Sequence, residues 1–124
     1  MTQTLSIALG GAVGSLFRFW VSTGVYGVLG RGFPYGTLAV NLIGSFLMGL
    51  LFALLHERMA ASPEVRALLL IGFLGGFTTF SSFSIETFNL IEQAEYLKAA
   101  ANAVLSVILC LAVTWLGLLT GRLS

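Results

Sequence analysis

The sequence is short of charged residues and of cysteine. Asp, Glu, Lys and Arg make up only 9% of its 124 residues, whereas soluble domains typically carry about 25%. Since 57% of the residues are hydrophobic, the chain cannot cover a surface that faces water, and we expect an integral membrane protein. A net charge of +1 gives no basis for binding nucleic acid. The one cysteine, Cys110, excludes a disulfide scaffold and a metal site built on cysteines.

The sequence also lacks the side-chain combinations of an enzyme. Its single histidine, His56, lies at a membrane boundary, and no Gly-rich stretch carries the lysine of a phosphate site. The serines near residue 82 have no neighbouring base to activate them. We therefore predict that the protein is not an enzyme. The N-terminus lacks the basic segment and the cleavage site of a signal peptide, so we expect insertion without processing.

Four apolar segments are long enough to span a bilayer. We predict an all-α integral membrane protein that forms one domain over residues 1–124, with helices at about residues 4–29, 37–55, 64–91 and 96–121. Small residues spaced by four favour close packing of membrane helices, as in Gly10-x-x-x-Gly14, Ser45-x-x-x-Gly49 and Gly117-x-x-x-Gly121. Ser62-Pro63 is typical of a helix start.

The third segment is a poor helix sequence inside an uncharged run. It contains the stretch Gly72-Phe-Leu-Gly-Gly-Phe-Thr-Thr-Phe-Ser-Ser-Phe-Ser. The Gly75-Gly76 pair and the β-branched Thr78-Thr79 pair both lower helix propensity, so we predict a break near residues 75–79. Backbone groups freed at membrane depth must be buried in protein or line a cavity, and such breaks can bind ions. This stretch is the predicted functional centre.

Neutral hydrogen-bond donors and phenylalanines cluster around this stretch. The donors are the amide of Asn41 and the hydroxyls of Thr37, Thr79, Ser81, Ser82, Ser84 and Thr114. Phe80 and Phe83 form an aromatic row beside the serines. The edge of an aromatic ring is positive, so ring edges and neutral donors can together replace part of an anion's hydration shell. Each of these residues alone is better explained by helix packing, but that explanation fits the cluster as a whole less well.

Two charged residues lie within the apolar segments. Arg18 would be unfavourable in lipid by about 2.5–3.5 kcal/mol, so it should face the protein interior or a wet vestibule, or reach the interface. Glu86 follows the predicted break and is expected to pair with a cation or with backbone donors.

The flanking cations give little preference for one orientation in the membrane. With four spans, one side carries Arg58, Arg66 and Arg122. The other side carries Arg31 and Lys98. Three cations against two form a weak positive-inside signal. Either other signals fix the topology, or the chain inserts both ways, and antiparallel pairing would then bring two breaks together across a two-fold axis.

Taken together, these motifs resemble the Fluc (CrcB) fluoride channels of microbes over nearly the whole chain. The markers are Gly10-Gly-x-x-Gly14 followed by Arg18, Gly36-Thr37-Leu38-x-Val40-Asn41-Leu42, and the stretch from Gly72 to Glu86. The resemblance implies an antiparallel, dual-topology homodimer in the inner membrane with two fluoride pathways. Such a channel exports fluoride passively from the cytoplasm and protects against its toxicity.

The resemblance also implies roles for individual residues. The fluoride pathway would comprise Asn41, Phe80, Phe83, Ser81, Thr114, Thr37 and Ser84. Arg18 would lie at the vestibule. A structural sodium ion at the dimer centre would be held by backbone carbonyls of Gly75 and Thr78 from each subunit.

Two alternatives from other classes remain. A small dual-topology transporter for hydrophobic cations would need an essential carboxylate facing a cavity, and only Glu86 could serve. A structural subunit of a membrane complex would use all the polar residues for packing.

Overall fold

The computed structural model describes residues 2–124 and is helical. Four helices are long and apolar enough to cross a membrane, namely Thr2–Leu29, Tyr35–Arg58, Pro63–Glu92 and Tyr96–Leu123. Over residues 2–124 there is no β-strand, so the predicted all-α class is confirmed. The observed bounds of each helix agree with the predicted ones to within three residues at both ends.

We number the helical segments in chain order. Helix α1 is Thr2–Leu29, and α2 is Tyr35–Leu51, which continues as a π-helix over Phe52–Arg58. Helix α3 begins at Pro63–Arg66, becomes a π-helix over Ala67–Phe73 and closes with the turn Leu74–Phe77. Helix α4 is Phe80–Glu92, and α5 is Tyr96–Leu123. The sequence did not predict the π-helical stretches, which are rare and often mark functional regions.

The start of α3 follows the predicted capping pattern. Ser62 has extended backbone angles and its hydroxyl accepts a hydrogen bond from the Val65 amide at 3.2 Å, with Pro63 in the first turn. The side chain thereby satisfies one of the amides that a helix leaves free at its start. This predicted cap is confirmed.

Small residues allow α1 to lie directly against α3. Gly10 and Gly14 are both buried, and a Cβ atom on either one would overlap a backbone carbonyl oxygen, that of Leu68 or of Phe73. Close approach of this kind is what Gly-x-x-x-Gly patterns permit between membrane helices. The predicted packing role of this pair is confirmed.

Glycines also allow α2 to lie directly against α5. A Cβ atom on Gly49 would overlap the carbonyl oxygen of Thr114, and one on Gly117 would overlap that of Phe46. The two helix backbones therefore interlock: a carbonyl oxygen of each helix occupies the space beside a glycine of the other. The predicted small-residue faces of both helices are confirmed.

Between α3 and α4 the backbone is extended for two residues. Thr78 has φ −83° and ψ 158°, and Thr79 has φ −150° and ψ 119°. The preceding glycine pair is still helical, within Leu74–Phe77. Gly76 is needed there for close packing, because a Cβ atom would lie 2.7 Å from the Gly11 carbonyl oxygen of α1. The extended residues are thus the β-branched threonines and not the glycines.

Polar contacts tie the ends of the bundle. At one end Arg122 makes two 2.9 Å hydrogen bonds to the Glu57 carboxylate, and Arg58 donates to the last carbonyls of α5. At the other end Lys98 donates to the Gly32 carbonyl at 3.3 Å. Large apolar side chains cover much of the outer surface between these ends, among them Leu9, Trp20 and Leu111.

We expect Gly49→Ala to destabilise the folded protein by about 1–3 kcal/mol, because the added methyl group must displace the α5 backbone. Gly24→Ala is the matched control, since a Cβ atom there meets no other atom within 4 Å. Unfolding of both variants in detergent, followed by circular dichroism, measures the difference. Equal stability of the two variants would contradict the interlocked arrangement.

Candidate functional site

Asn41 satisfies both backbone polar groups of Thr79. Its Nδ2 donates to the Thr79 carbonyl at 3.0 Å, and its Oδ1 accepts from the Thr79 amide at 2.8 Å. Thr79 is buried and extended, so its amide has no partner within a helix, whereas its carbonyl, as that of an N-cap residue, also begins the hydrogen bonding of α4. An unpaired backbone group in an apolar surrounding is strongly unfavourable. The amide side chain of α2 therefore fixes the conformation of the extended residues between α3 and α4.

The side chain of Thr79 caps the helix that follows. Its Oγ1 accepts from the Ser82 amide at 3.2 Å, which makes Thr79 the N-cap of α4. Thr78 closes the preceding turn, with both its amide and its hydroxyl donating to the Leu74 carbonyl. The junction is thus a pair of caps built from two adjacent threonines.

The junction releases carbonyl groups from helical hydrogen bonding, among them those of Gly75 and Thr78. In a continuous α-helix the Gly75 carbonyl would bond the Thr79 amide, and the Thr78 carbonyl would bond the Ser82 amide. The Thr79 amide is instead engaged with Asn41, and the Ser82 amide with the Thr79 hydroxyl. Gly75 is exposed at the surface of the chain. Both carbonyl oxygens thereby keep lone pairs for another ligand.

A cavity of about 420 Å³ opens beside this junction. Four of the predicted pathway residues line it: Asn41, Phe80, Phe83 and Thr114. The rings of Phe80 and Phe83 have centroids 5.2 Å apart, at 37° to each other, and Phe80 is 76% exposed. None of the described lining residues carries a charge. We call this space the main cavity.

The α5 wall of the main cavity is polar at regular intervals. Its lining residues Ser106, Cys110 and Thr114 lie four apart along one face of the helix, and buried Asn102 continues that row. Asn102 donates to the Thr87 hydroxyl at 2.7 Å. Ser106 and Asn102 were not among the predicted pathway residues, although their four-residue spacing is visible in the sequence.

A smaller cavity of about 190 Å³ contains Arg18. Thr37, Thr79 and Ser82 also line it, so it lies across the extended residues from the main cavity, and we call it the arginine cavity. Arg18 is half-buried. It lies against a polar space within the protein, which is one of the positions expected from its charge.

Glu86 is held by hydroxyl groups. Tyr26 Oη donates to its Oε2 at 2.7 Å, and Thr37 Oγ1 donates to its Oε1. The sequence predicted a cation or backbone donors as partners, and the hydrogen bonds come from two side-chain hydroxyls. Tyr26 was missed because it is 60 residues away in the chain, with no local pattern that connects the two.

Ser81 and Ser84 lie on the exposed side of α4. The Ser84 hydroxyl donates to the Phe80 carbonyl at 3.0 Å, and that of Ser81 lies 3.4 Å from the Thr79 hydroxyl. Within a single chain they are not brought together with Thr114. Their predicted place on the pathway stays a prediction.

The helices and polar cavities define a small multi-pass helical membrane protein. A family model described as CrcB-like protein, Camphor Resistance (CrcB), matches residues 5–118, and the chain belongs to that family. Three relatives bear the name fluoride-specific ion channel FluC. The protein of Methylococcus capsulatus is 57% identical over 94% of this chain, and the one of Coxiella burnetii is 56% identical over 97%. The one of Geobacter metallireducens is 51% identical over 98%.

The relatives differ in length. The chain spans 98% of the Coxiella and Geobacter proteins but 51% of the Methylococcus protein, about half of its length.

We expect Asn41→Leu, which keeps the branched shape and removes both hydrogen bonds, to lower the free energy of opening at the junction by about 1–3 kcal/mol. The amides of Thr79 and Ser82 should then exchange with deuterium faster, as measured by mass spectrometry of the peptide that contains them. Asn89→Leu, at an exposed asparagine of α4, is the control. Unchanged exchange in Asn41→Leu would show that the junction does not depend on this side chain.

Proposed function

We propose that this protein is a fluoride-selective channel that passively exports fluoride from the cytoplasm across the inner membrane. Family membership and the names of relatives that match over nearly the whole chain support this function. The observation in the structure that carries it is the main cavity, where phenyl rings and neutral polar groups meet without a charged residue among those that line it. A channel catalyses no reaction, in keeping with the absence of an enzyme motif in the sequence.

The chemistry of the main cavity suits a small, strongly hydrated anion. Phenyl ring edges carry partial positive charge, and hydroxyl and amide groups can donate hydrogen bonds, so together they replace water around the ion. A fixed cation in this space would bind the anion tightly and slow its release. Arg18 stands apart in the arginine cavity, where it raises the local anion concentration without trapping the ion in the pathway.

The state of Glu86 disfavours the transporter alternative. A cation transporter needs a carboxylate that is open to its substrate. Both oxygens of Glu86 already accept hydrogen bonds, from Tyr26 and Thr37, and the cavity that it lines also holds the cations Arg31 and Lys98, which would repel a cationic substrate. The fluoride-channel names of the relatives likewise disfavour a purely structural subunit.

The functional unit in this proposal is an antiparallel homodimer. In one chain the main cavity is open to the side, and Phe80 is 76% exposed although it lines the cavity. A second copy against this face closes the space and completes two equivalent pathways. The weak charge difference between the two ends, three cations against two, is compatible with insertion in both orientations.

We assign the predicted break to Thr78 and Thr79, and a structural sodium ion to the carbonyls beside it. Gly75 and Thr78 have carbonyl oxygens whose usual helical partners are engaged elsewhere. A Cβ atom on Gly75 meets no other atom within 4 Å, which leaves room for a second copy. Two carbonyls from each subunit would offer four oxygens, the ligand type that hard cations prefer. When bound, the ion would neutralise the partial charges of these oxygens at the dimer centre.

We expect Phe83→Ile to lower fluoride efflux about two- to ten-fold, because an aromatic contact contributes ~0.5–1.5 kcal/mol. A fluoride-selective electrode measures release from liposomes that contain the purified protein, and a chloride electrode checks that chloride is retained. Phe88→Ile, at an exposed ring on the same helix, should behave as the wild type. Wild-type protein that releases no fluoride would refute the proposed function, and normal efflux in Phe83→Ile would remove the aromatic role.

We expect sodium removal to shorten the lifetime of the dimer. Subunits labelled with two fluorophores should exchange slowly in sodium and at least about ten-fold faster in N-methylglucamine, since four carbonyl dipoles would then face each other unpaired. Potassium, a larger cation, is the control for ionic strength. Equal exchange rates in sodium and N-methylglucamine would argue against the cation site.

A further inference from the structure

Glu86 is fixed by hydroxyl donors on both of its oxygens. Tyr26 Oη lies 2.7 Å from Oε2, and Thr37 Oγ1 bonds Oε1. The two hydroxyl oxygens also lie 3.4 Å apart, but each has a single proton and both protons are directed at the carboxylate. Each carboxyl oxygen thus has a hydroxyl donor of its own.

The ring of Tyr26 is held in place by neighbours other than Glu86. Gly36 is buried beneath it, and a Cβ atom there would overlap the edge of the ring. The guanidinium carbon of Arg31 lies 4.5 Å from the ring centroid, a cation–π distance. These contacts fix the position of the Tyr26 hydroxyl group, and the hydrogen bond to it fixes the position of the Glu86 carboxylate.

The three hydrogen-bonded side chains lie between two polar spaces. Thr37 lines the arginine cavity. Tyr26 and Glu86 line a third cavity of about 300 Å³, together with Arg31 and Lys98. In its held position Glu86 lines the third cavity and not the arginine cavity. A carboxylate released from its donors would be free to reach past Thr37 into the arginine cavity, where its negative charge would repel an anion.

We propose that Tyr26 is a positioning residue that holds the Glu86 carboxylate at the junction of these two cavities and so keeps its charge away from the permeating anion. This inference rests on the proposed fluoride channel. Tyr26 does not touch the ion. Its hydroxyl group acts through Glu86, with Thr37 as the second donor.

The first test is a double-mutant cycle on fluoride efflux. Tyr26→Phe removes only the hydroxyl group and should slow efflux by about five-fold or more, since a hydrogen bond to a charged group is lost. In the Glu86→Gln background, where no charge is left to position, the same substitution should change efflux by less than about two-fold. Tyr35→Phe is the matched control, because its ring packs on Phe33, 5.2 Å away, and not on Glu86. Wild-type efflux in Tyr26→Phe, or equal effects in both backgrounds, would overturn the proposal.

The second test does not depend on transport. Infrared difference spectra between wild type and Tyr26→Phe should show a shifted carboxylate stretching band, because one oxygen loses its donor. The band should vanish when both proteins carry Glu86→Gln, and Tyr35→Phe should not produce it. If the difference spectrum between wild type and Tyr26→Phe showed no carboxylate band, the positioning role would be refuted even if efflux fell. If the wild type released no fluoride, the proposed function would fail, while this spectrum would still decide whether Tyr26 holds Glu86.

Discussion

The pairing of Asn41 with the backbone of Thr79 is the interaction on which the candidate site depends. The Thr79 amide, at an extended residue between two helical segments, has no helical partner, and lipid could not supply one. The Asn41 side chain accepts from this amide at 2.8 Å and donates a second hydrogen bond to the Thr79 carbonyl at 3.0 Å. Because Thr79 also caps α4, the start of that helix and the placement of its phenylalanines follow from the same contact. Asn41 therefore has a structural task in addition to its proposed contact with fluoride.

The interlocked glycines make this arrangement possible in so small a chain. Gly10 and Gly14 bring α1 against α3, while Gly49 and Gly117 bring α2 against α5. Helix backbones in direct contact leave little volume for side chains between them, and two of the described cavities, the main cavity and the arginine cavity, lie beside the extended threonines. Tight packing away from the site and open space at the site are thus two results of the same distribution of small residues.

Local patterns in the sequence were sufficient for the elements but not for their partners. Hydropathy and glycine spacing predicted the helices and their close contacts, since both signals are contained within one turn or one segment. The partner of Asn41 lies 38 residues away and that of Tyr26 lies 60 away, and no period within a helix encodes such distances. Helix propensity could place the predicted break only within residues 75–79, because it cannot distinguish glycines used for contact from residues that end a helix.

The hydroxyl groups proposed for the pathway have a consequence for how an ion would be handled. The Thr114 hydroxyl, at the main cavity, lies 2.8 and 3.2 Å from the Cys110 and Ser45 carbonyls, and the Ser84 hydroxyl, on the exposed side of α4, donates to the Phe80 carbonyl. In the proposed channel, each of these two hydroxyl groups would have to turn away from its carbonyl to face an anion and would turn back once the anion had left. The carbonyl and the anion would compete for the same proton, and this competition would limit how tightly either group could hold the ion.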